Sequence, residues 1–287
     1  MSHDPGAMTR ITVLDGPLGT ELARRGASTA LPRWSASALT EAPALVAAIH
    51  RDYAAAGATV HTANTFRASP RAYGAGWVRA ARDAVALARG AVPRAHRVAG
   101  SLAPLADCYR PDLSPGGGPA VEREHGRLAE VLADAGCDLL LCETFPCADE
   151  ALAAVRAARA TRLETWLALS AGYDATLMSP AAMADAARRA VDLGVAAVLV
   201  NCTPSARTRA YVEAIADAGV PFGAYANGGV ANDEDGFTPR PDTPEAYAAH
   251  ARAWVAAGAT IVGGCCGTGP AHVAALAAVR DESTARR

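Results

Sequence analysis

The stretch Ala257-Gly258-Ala259-Thr260-Ile261-Val262-Gly263-Gly264-Cys265-Cys266-Gly267-Thr268-Gly269-Pro270 shows how this chain is built. An alanine-rich helix ends at a glycine, a short apolar strand follows, and the strand runs into two thiols wrapped in glycine. Glycine suits a helix end because it takes the left-handed cap without a Cβ penalty. The same handover recurs at Ala56-Gly57-Ala58, Ala135-Gly136-Cys137, Leu193-Gly194-Val195 and Ala218-Gly219-Val220. Working outward, apolar runs predict eight strands at 11–16, 59–65, 97–102, 138–144, 165–171, 196–202, 221–227 and 260–266. Helix starts are signalled where a hydroxyl precedes a proline, at Ser179-Pro180, Thr203-Pro204 and Thr243-Pro244-Glu245. Near-continuous apolar strands are those buried on both faces. Eight strand-helix units therefore predict an α/β fold of the (β/α)8 barrel type, with an open doubly wound sheet as the alternative. The expected organisation is a polar tail over 1–10 and one barrel domain over 11–287.

The chain has 287 residues, 51% of them apolar, and a formal charge of −2 with acids and bases interspersed. That argues against a nucleic-acid surface or a polybasic membrane patch. No apolar run is long enough to span a bilayer, and the first residues lack an apolar signal core. Seven cysteines, an odd number, point to a reducing compartment, so the expected location is the cytoplasm. Lysine is absent altogether, which excludes a lysine Schiff base. Nothing in the sequence sets the oligomeric state.

Three connections after strands look long: 17–42, 103–119 and 228–243. In a barrel they share the face that carries active sites. The strand ends at that face are polar: Leu14-Asp15-Gly16, Ala63-Asn64-Thr65, Cys142-Glu143-Thr144, Asn201-Cys202 and Cys265-Cys266. Neighbouring cysteines are poorly placed to bridge each other and well placed to hold a soft metal. Cys202 supplies a third thiol, and three protein ligands with one open position describe a catalytic zinc site. Taken alone, Asp15 before Gly16 also suits a turn, and Asn64 and Asn201 also suit local backbone bonding. His61 reads as a satisfied barrel histidine. Cys108, Cys137, Cys142 and Cys147 read as structural, and Trp34, Tyr109, Tyr173 and Tyr225 as packing.

With those motifs in hand, the chain resembles the zinc-dependent homocysteine S-methyltransferases. The matching segments are Leu14-Asp15-Gly16-Pro17-Leu18-Gly19-Thr20-Glu21-Leu22, Ala63-Asn64-Thr65-Phe66-Arg67-Ala68-Ser69, Cys142-Glu143-Thr144, Asn201-Cys202 and Gly263-Gly264-Cys265-Cys266-Gly267-Thr268, in order over about 11–280. The resemblance implies the barrel, zinc on Cys202, Cys265 and Cys266, and recognition of the homocysteine ammonium by Asp15 and Glu143. Backbone N–H groups near Gly264 or Gly16 are then expected to meet its carboxylate, with Asn64 and Asn201 lining the site. Betaine-using relatives carry an aromatic residue where this chain has Arg67. A sulfonium donor is therefore expected, S-methylmethionine ahead of S-adenosylmethionine, with Arg67 on the donor carboxylate. The loops 102–112 and 233–241 give no donor identity. No cobalamin segment is present, so a separate corrinoid protein is an alternative methyl source. Two other classes remain open: a phosphate-handling barrel enzyme using Gly228-Gly229 and Gly267-Thr268-Gly269, and a non-catalytic thiol- or metal-binding module.

Overall fold

A computed structural model describes residues 11–229 and 242–285. The segments 1–10 and 233–241 singled out above lie outside the described residues. Eight parallel strands form one sheet in the order β1-β8-β7-β6-β5-β4-β3-β2. They are β1 (Thr12–Val13), β2 (Val60–Thr62), β3 (Arg97–Leu102), β4 (Leu139–Phe145), β5 (Glu164–Leu169), β6 (Ala197–Pro204), β7 (Phe222–Asn227) and β8 (Ile261–Gly264). The ring closes where Leu14 bridges Val60. There Thr59 donates its N–H to the Val13 carbonyl at 2.8 Å, and Asp15 donates to that of Val60 at 3.0 Å. Closure removes both sheet edges and rules out the open-sheet alternative.

The apolar strands serve two cores at once. Leu139 and Leu141 of β4, Ala197 and Leu199 of β6, Val60, Ala99, Tyr225 and Ile261 pack together inside the barrel. Their neighbours in the pleat, Leu140, Cys142, Val198 and Val200, pack outward with the helices. Side chains alternate faces along a strand, so two buried faces demand an unbroken apolar run. The glycine handovers hold as expected: Gly57, Gly136, Gly194, Gly219 and Gly258 all have positive φ, from 83° to 103°.

Helix starts differ in one place. Ser179 and Thr243 accept hydrogen bonds from the N–H groups of Ala182 and Ala246, as caps should. Thr203 does not cap. Strand β6 runs on through Pro204, and Thr203 Oγ1 instead accepts the N–H of Ala171 at 3.0 Å, tying two strand ends together.

The expected long loop 17–42 is partly helical. A helix covers Leu18–Arg24, then a 3-10 turn Trp34–Ser37 and a short helix Ala38–Glu41. Leu18 and Leu22, one turn apart, are buried and anchor the first of these. The connection 103–119 holds only a 3-10 turn, Pro111–Leu113. It is pinned from outside the barrel by buried Glu150, which accepts the Leu105 N–H at 2.7 Å and the Ser114 hydroxyl at 2.5 Å. No helix among the described residues is long and apolar enough to cross a membrane.

Candidate metal and substrate site

Pleat alternation decides which polar residues face the barrel axis. Ala99, Leu141 and Tyr225 point inward, so Ser101 and Glu143, two residues on from the first two, do as well. These three strands build a polar layer above the apolar core. Glu143, 8% exposed, accepts the Ser101 hydroxyl on Oε1 at 2.5 Å and the Tyr225 hydroxyl on Oε2 at 2.9 Å. Burial outweighs both bonds and pushes its carboxyl up to about 7. Asp15 follows β1, just past the Leu14 bridge, and is 4% exposed. Its Oδ2 accepts the Thr62 N–H at 2.9 Å. Burial raises this carboxyl well above its usual range, and the nearby charge of Glu143 raises it further.

The thiols stand opposite. One sulfur each from Cys202, Cys265 and Cys266 lies within 4.8 Å of the others. By alternation Cys202 belongs to the outward set with Val198 and Val200. It reaches the cavity because the strand breaks pleat: the β6–β7 register shifts between Asn201 and Pro204, and Cys202 has φ 46°. Strand β4 does the same across the way, with a register shift between Cys142 and Phe145 and Thr144 at φ 64°. Left-handed backbone at a β-branched residue is costly, on the order of 1–3 kcal/mol. Asn201 holds both kinks. Its Oδ1 accepts the Thr144 N–H at 3.1 Å and its Nδ2 donates to Thr144 Oγ1 at 2.7 Å. The donor set suits a soft divalent metal. Hydrogen bonds from Cys202 and Cys265 already hold the Cys266 thiol well below its ordinary range.

Both walls open onto one cavity of about 380 Å³ lined by Asp15, Asn64, Arg67, Glu143 and the three thiols. Asn64 donates to the Ser35 carbonyl at 2.8 Å and so fixes the turn that carries Trp34. Arg67 has one long contact, to the Ala106 carbonyl at 3.4 Å, and lies 5.6 Å over the Phe66 ring. Two expected site residues already have partners within the protein. Asn201 is fully buried and braces Thr144; it is not among the residues that line the cavity. The Gly264 N–H, expected to meet a substrate carboxylate, is donated to the Asp15 carbonyl at 3.1 Å. Gly264 matters instead for space, since a Cβ there would fall 2.2 Å from Thr268 Oγ1.

Several site residues were read as packing or left aside. Tyr225 and Ser101 hold Glu143, and Trp34, Phe66, Cys108 and Tyr109 line the cavity. Tyr109, within hydrogen-bonding reach of Cys202, packs edge-on against half-exposed Tyr173 at 5.5 Å. Their signal was position alone, on strand ends or in loops after strands. His61 is not inside the barrel. It points into the helix layer, where Nε2 meets His96 Nδ1 at 3.1 Å and Nδ1 has no partner.

The glycine segments do not form a phosphate cradle. The N–H groups of Gly228, Gly229, Gly267, Thr268 and Gly269 go to Cys266, Asn227, Thr20, Cys265 and His272. A phosphate site needs such groups free to converge on the anion.

Comparison with known proteins fits this geometry. The family described as homocysteine S-methyltransferase matches residues 12–280. Homocysteine S-methyltransferase YbgG of Bacillus subtilis is 30% identical over 93% of this chain and 94% of its own. A homocysteine S-methyltransferase of Escherichia coli is 33% identical over 93% and 94%. The crystal structure of the homocysteine methyltransferase MmuM from Escherichia coli, in its metallated form, superposes with a TM-score of 0.78 at 29% identity. That match covers 94% of this chain and 96% of that one.

Proposed function

The chain belongs to the homocysteine S-methyltransferase family, and on that premise we propose that it moves a methyl group from a small sulfonium donor to the thiol of homocysteine, giving methionine. Zinc is the proposed metal, held by Cys202, Cys265 and Cys266. The observation that carries the proposal is the facing of three clustered thiols and two buried carboxylates across one cavity. When bound, zinc keeps an acceptor thiol ionised at neutral pH, where a free thiol with a pKa near ~8.5 is mostly protonated.

The chain's own residues do the rest. Asp15 and Glu143 hold the substrate ammonium, whose arrival offsets the burial that opposes their charge. The acceptor sulfur forms the new S–C bond with its lone pair as the donor's C–S bond breaks, and the electron pair stays on a neutral thioether. No proton is delivered to the leaving group, which agrees with a cavity lining that contains no histidine among the described residues. Trp34, Phe66 and Tyr109 offer aromatic walls that exclude water and tolerate a cationic methyl carrier. Arg67 is suited to the donor's carboxylate. It stands where a quaternary ammonium would want an aromatic face, which puts betaine last. The sequence shows no adenosine-binding glycine loop of the open-sheet kind, which puts S-methylmethionine ahead of S-adenosylmethionine.

The test is a donor panel with homocysteine, measuring methionine formed and zinc bound on the same protein. Turnover with S-methylmethionine and one zinc per chain is expected. Turnover confined to betaine or to a methylated corrinoid protein overturns the donor, and no turnover on a fully metallated protein overturns the reaction.

A further inference from the structure

Behind Asp15, away from the cavity, lies a group with no part in the reaction above. His50, on the helix Pro43–Ala55, and His61, on β2, are both fully buried. Neither ring nitrogen of His50 has a hydrogen-bond partner, and Nδ1 of His61 has none. Nδ1 of His50 stands 4.0 Å from Asp15 Oδ2, and one atom each of Asp15, His50 and His61 lie within 4.8 Å of one another. Leaving a buried polar group unpaired is costly, so a doubly unpaired imidazole facing a buried carboxylate calls for a reason.

We infer that His50 is a positioning residue for Asp15: its ring N–H is a further donor, on the side away from the cavity, that keeps the carboxylate ionised and aimed at the substrate ammonium. The inference rests on the reading of Asp15 as an ammonium ligand. Asp15 Oδ2 accepts the Thr62 N–H, and the Thr62 hydroxyl and its own backbone N–H also favour its charge, yet burial works hardest against that charge and Glu143 adds to it. A neutral carboxyl offers an ammonium little. A shift of about 1 Å brings the His50 N–H into hydrogen-bond range of Oδ2. Burial pushes His50 itself down to about 4, so it arrives as an uncharged donor. That distinction matters. An arginine in its place would neutralise the carboxylate and compete with the ligand, whereas a neutral N–H leaves the negative charge for the ligand.

The groups facing the pair agree with this. Glu143 on β4 is an acid, and Tyr53 lies one turn along the helix of His50 beside Glu21, Arg24 and Arg25. His61 is held to about 3, by burial first and then by His50 and His96, so it too is neutral. Two imidazoles and a carboxylate are also a metal-ligand set. A tetrahedral ion with bonds of about 2.1 Å holds its ligand atoms roughly 3.4 Å apart, less than the 4.0 Å between Asp15 and His50, and a closure of that size makes a hydrogen bond without any ion.

The test uses the metallated full chain and reads homocysteine affinity by calorimetry across the neutral pH range, with metal content and melting temperature alongside. His50→Leu is expected to weaken homocysteine about tenfold or more and to move the pH midpoint of binding upward, with metal content unchanged. His50→Asn, which keeps a neutral donor, is expected to restore part of both, and it carries the test if the leucine variant does not fold. Asp15→Asn separates the two layers of argument. If it binds homocysteine as the parent does, the reading of Asp15 is wrong. If it loses binding while His50→Leu keeps parental affinity and midpoint, the inference about His50 alone falls. Equal weakening by leucine and asparagine also overturns it. So does a second zinc equivalent that survives in the C202A/C265A/C266A variant and disappears with His50→Leu.

Discussion

The two walls of the cavity are built on opposite principles. The thiol wall, at the ends of β6 and β8, uses backbone strain to gather three sulfurs that hydrogen-bond one another as thiols and would repel as thiolates without a cation. The carboxylate wall, at the ends of β1 and β4, shares that strain only at Thr144 and is stocked with donors, from Thr62, Ser101 and Tyr225, that offset part of the burial opposing its charges. On the proposed reading one wall takes a metal and the other an ammonium. The difference implies that methyl-acceptor chemistry and amino-acid recognition are separable by mutation, even though they share a few hundred cubic ångströms.

The sharpest break should come from the thiols. Cys202→Ala, Cys265→Ala or Cys266→Ala is expected to lose stoichiometric zinc and to cut turnover on the order of a thousandfold, with the helical circular dichroism intact because the sulfurs sit on the rim. Three single variants with full zinc and full turnover would falsify the metal assignment. Next comes Asn201→Ala, which removes the brace on Thr144 without touching a ligand. Zinc affinity should fall about 10- to 100-fold, measured by competition with a chromophoric chelator. Unchanged zinc affinity would mean that β6 keeps its kink unaided.

On the opposite wall, Glu143→Gln should weaken homocysteine by roughly 1.5–3 kcal/mol while zinc content stays at the parental level. The sign of its pH dependence follows from the raised carboxyl. Below about 7 the free site holds Glu143 neutral, so homocysteine affinity should drop as pH falls through that value, by up to about tenfold per unit. In Glu143→Gln the part of this slope that Glu143 carries should vanish and leave the part set by Asp15; a slope unchanged by the substitution assigns the titration to Asp15 alone. The smallest effect is expected of Arg67→Ala, with the donor KM raised about three- to tenfold and homocysteine and zinc binding unchanged. A loss confined to homocysteine binding would move Arg67 to the acceptor side.

Much of the thiol wall was legible before any coordinates, since Cys265 and Cys266 are adjacent and Cys202 ends its own apolar run. The barrel was legible for a similar reason: eight runs, each closed by a turn signal, leave few ways to bury both faces. What surrounds Asp15 and Glu143 was not. Ser101, Tyr225 and His50 come from separate strands and a helix, and they meet only through the parity of the pleat and the order of the ring. The Thr203 hydroxyl misled because a residue before proline caps a helix or ends a strand with equal ease. Asn201 was placed at the right strand end, but the bulge beside it decided that the amide bonds Thr144.

The ring of strands is unevenly cross-linked. Strands β6 and β7 pair at five positions, whereas β1 and β2 meet at one bridge with two flanking N–H groups. Local opening runs at lowest free energy where such bonds are fewest, so amide exchange at this seam should outpace that of the rest of the barrel. Asp15 sits at the seam. An amino acid held by Asp15 on β1, by Glu143 on β4 and by a metal on β6 and β8 ties the loosest strand to three firm ones from within. The slowing of exchange at Asp15 and Thr59 on binding would then report, in one observable, how tightly the ligand closes the barrel that holds it.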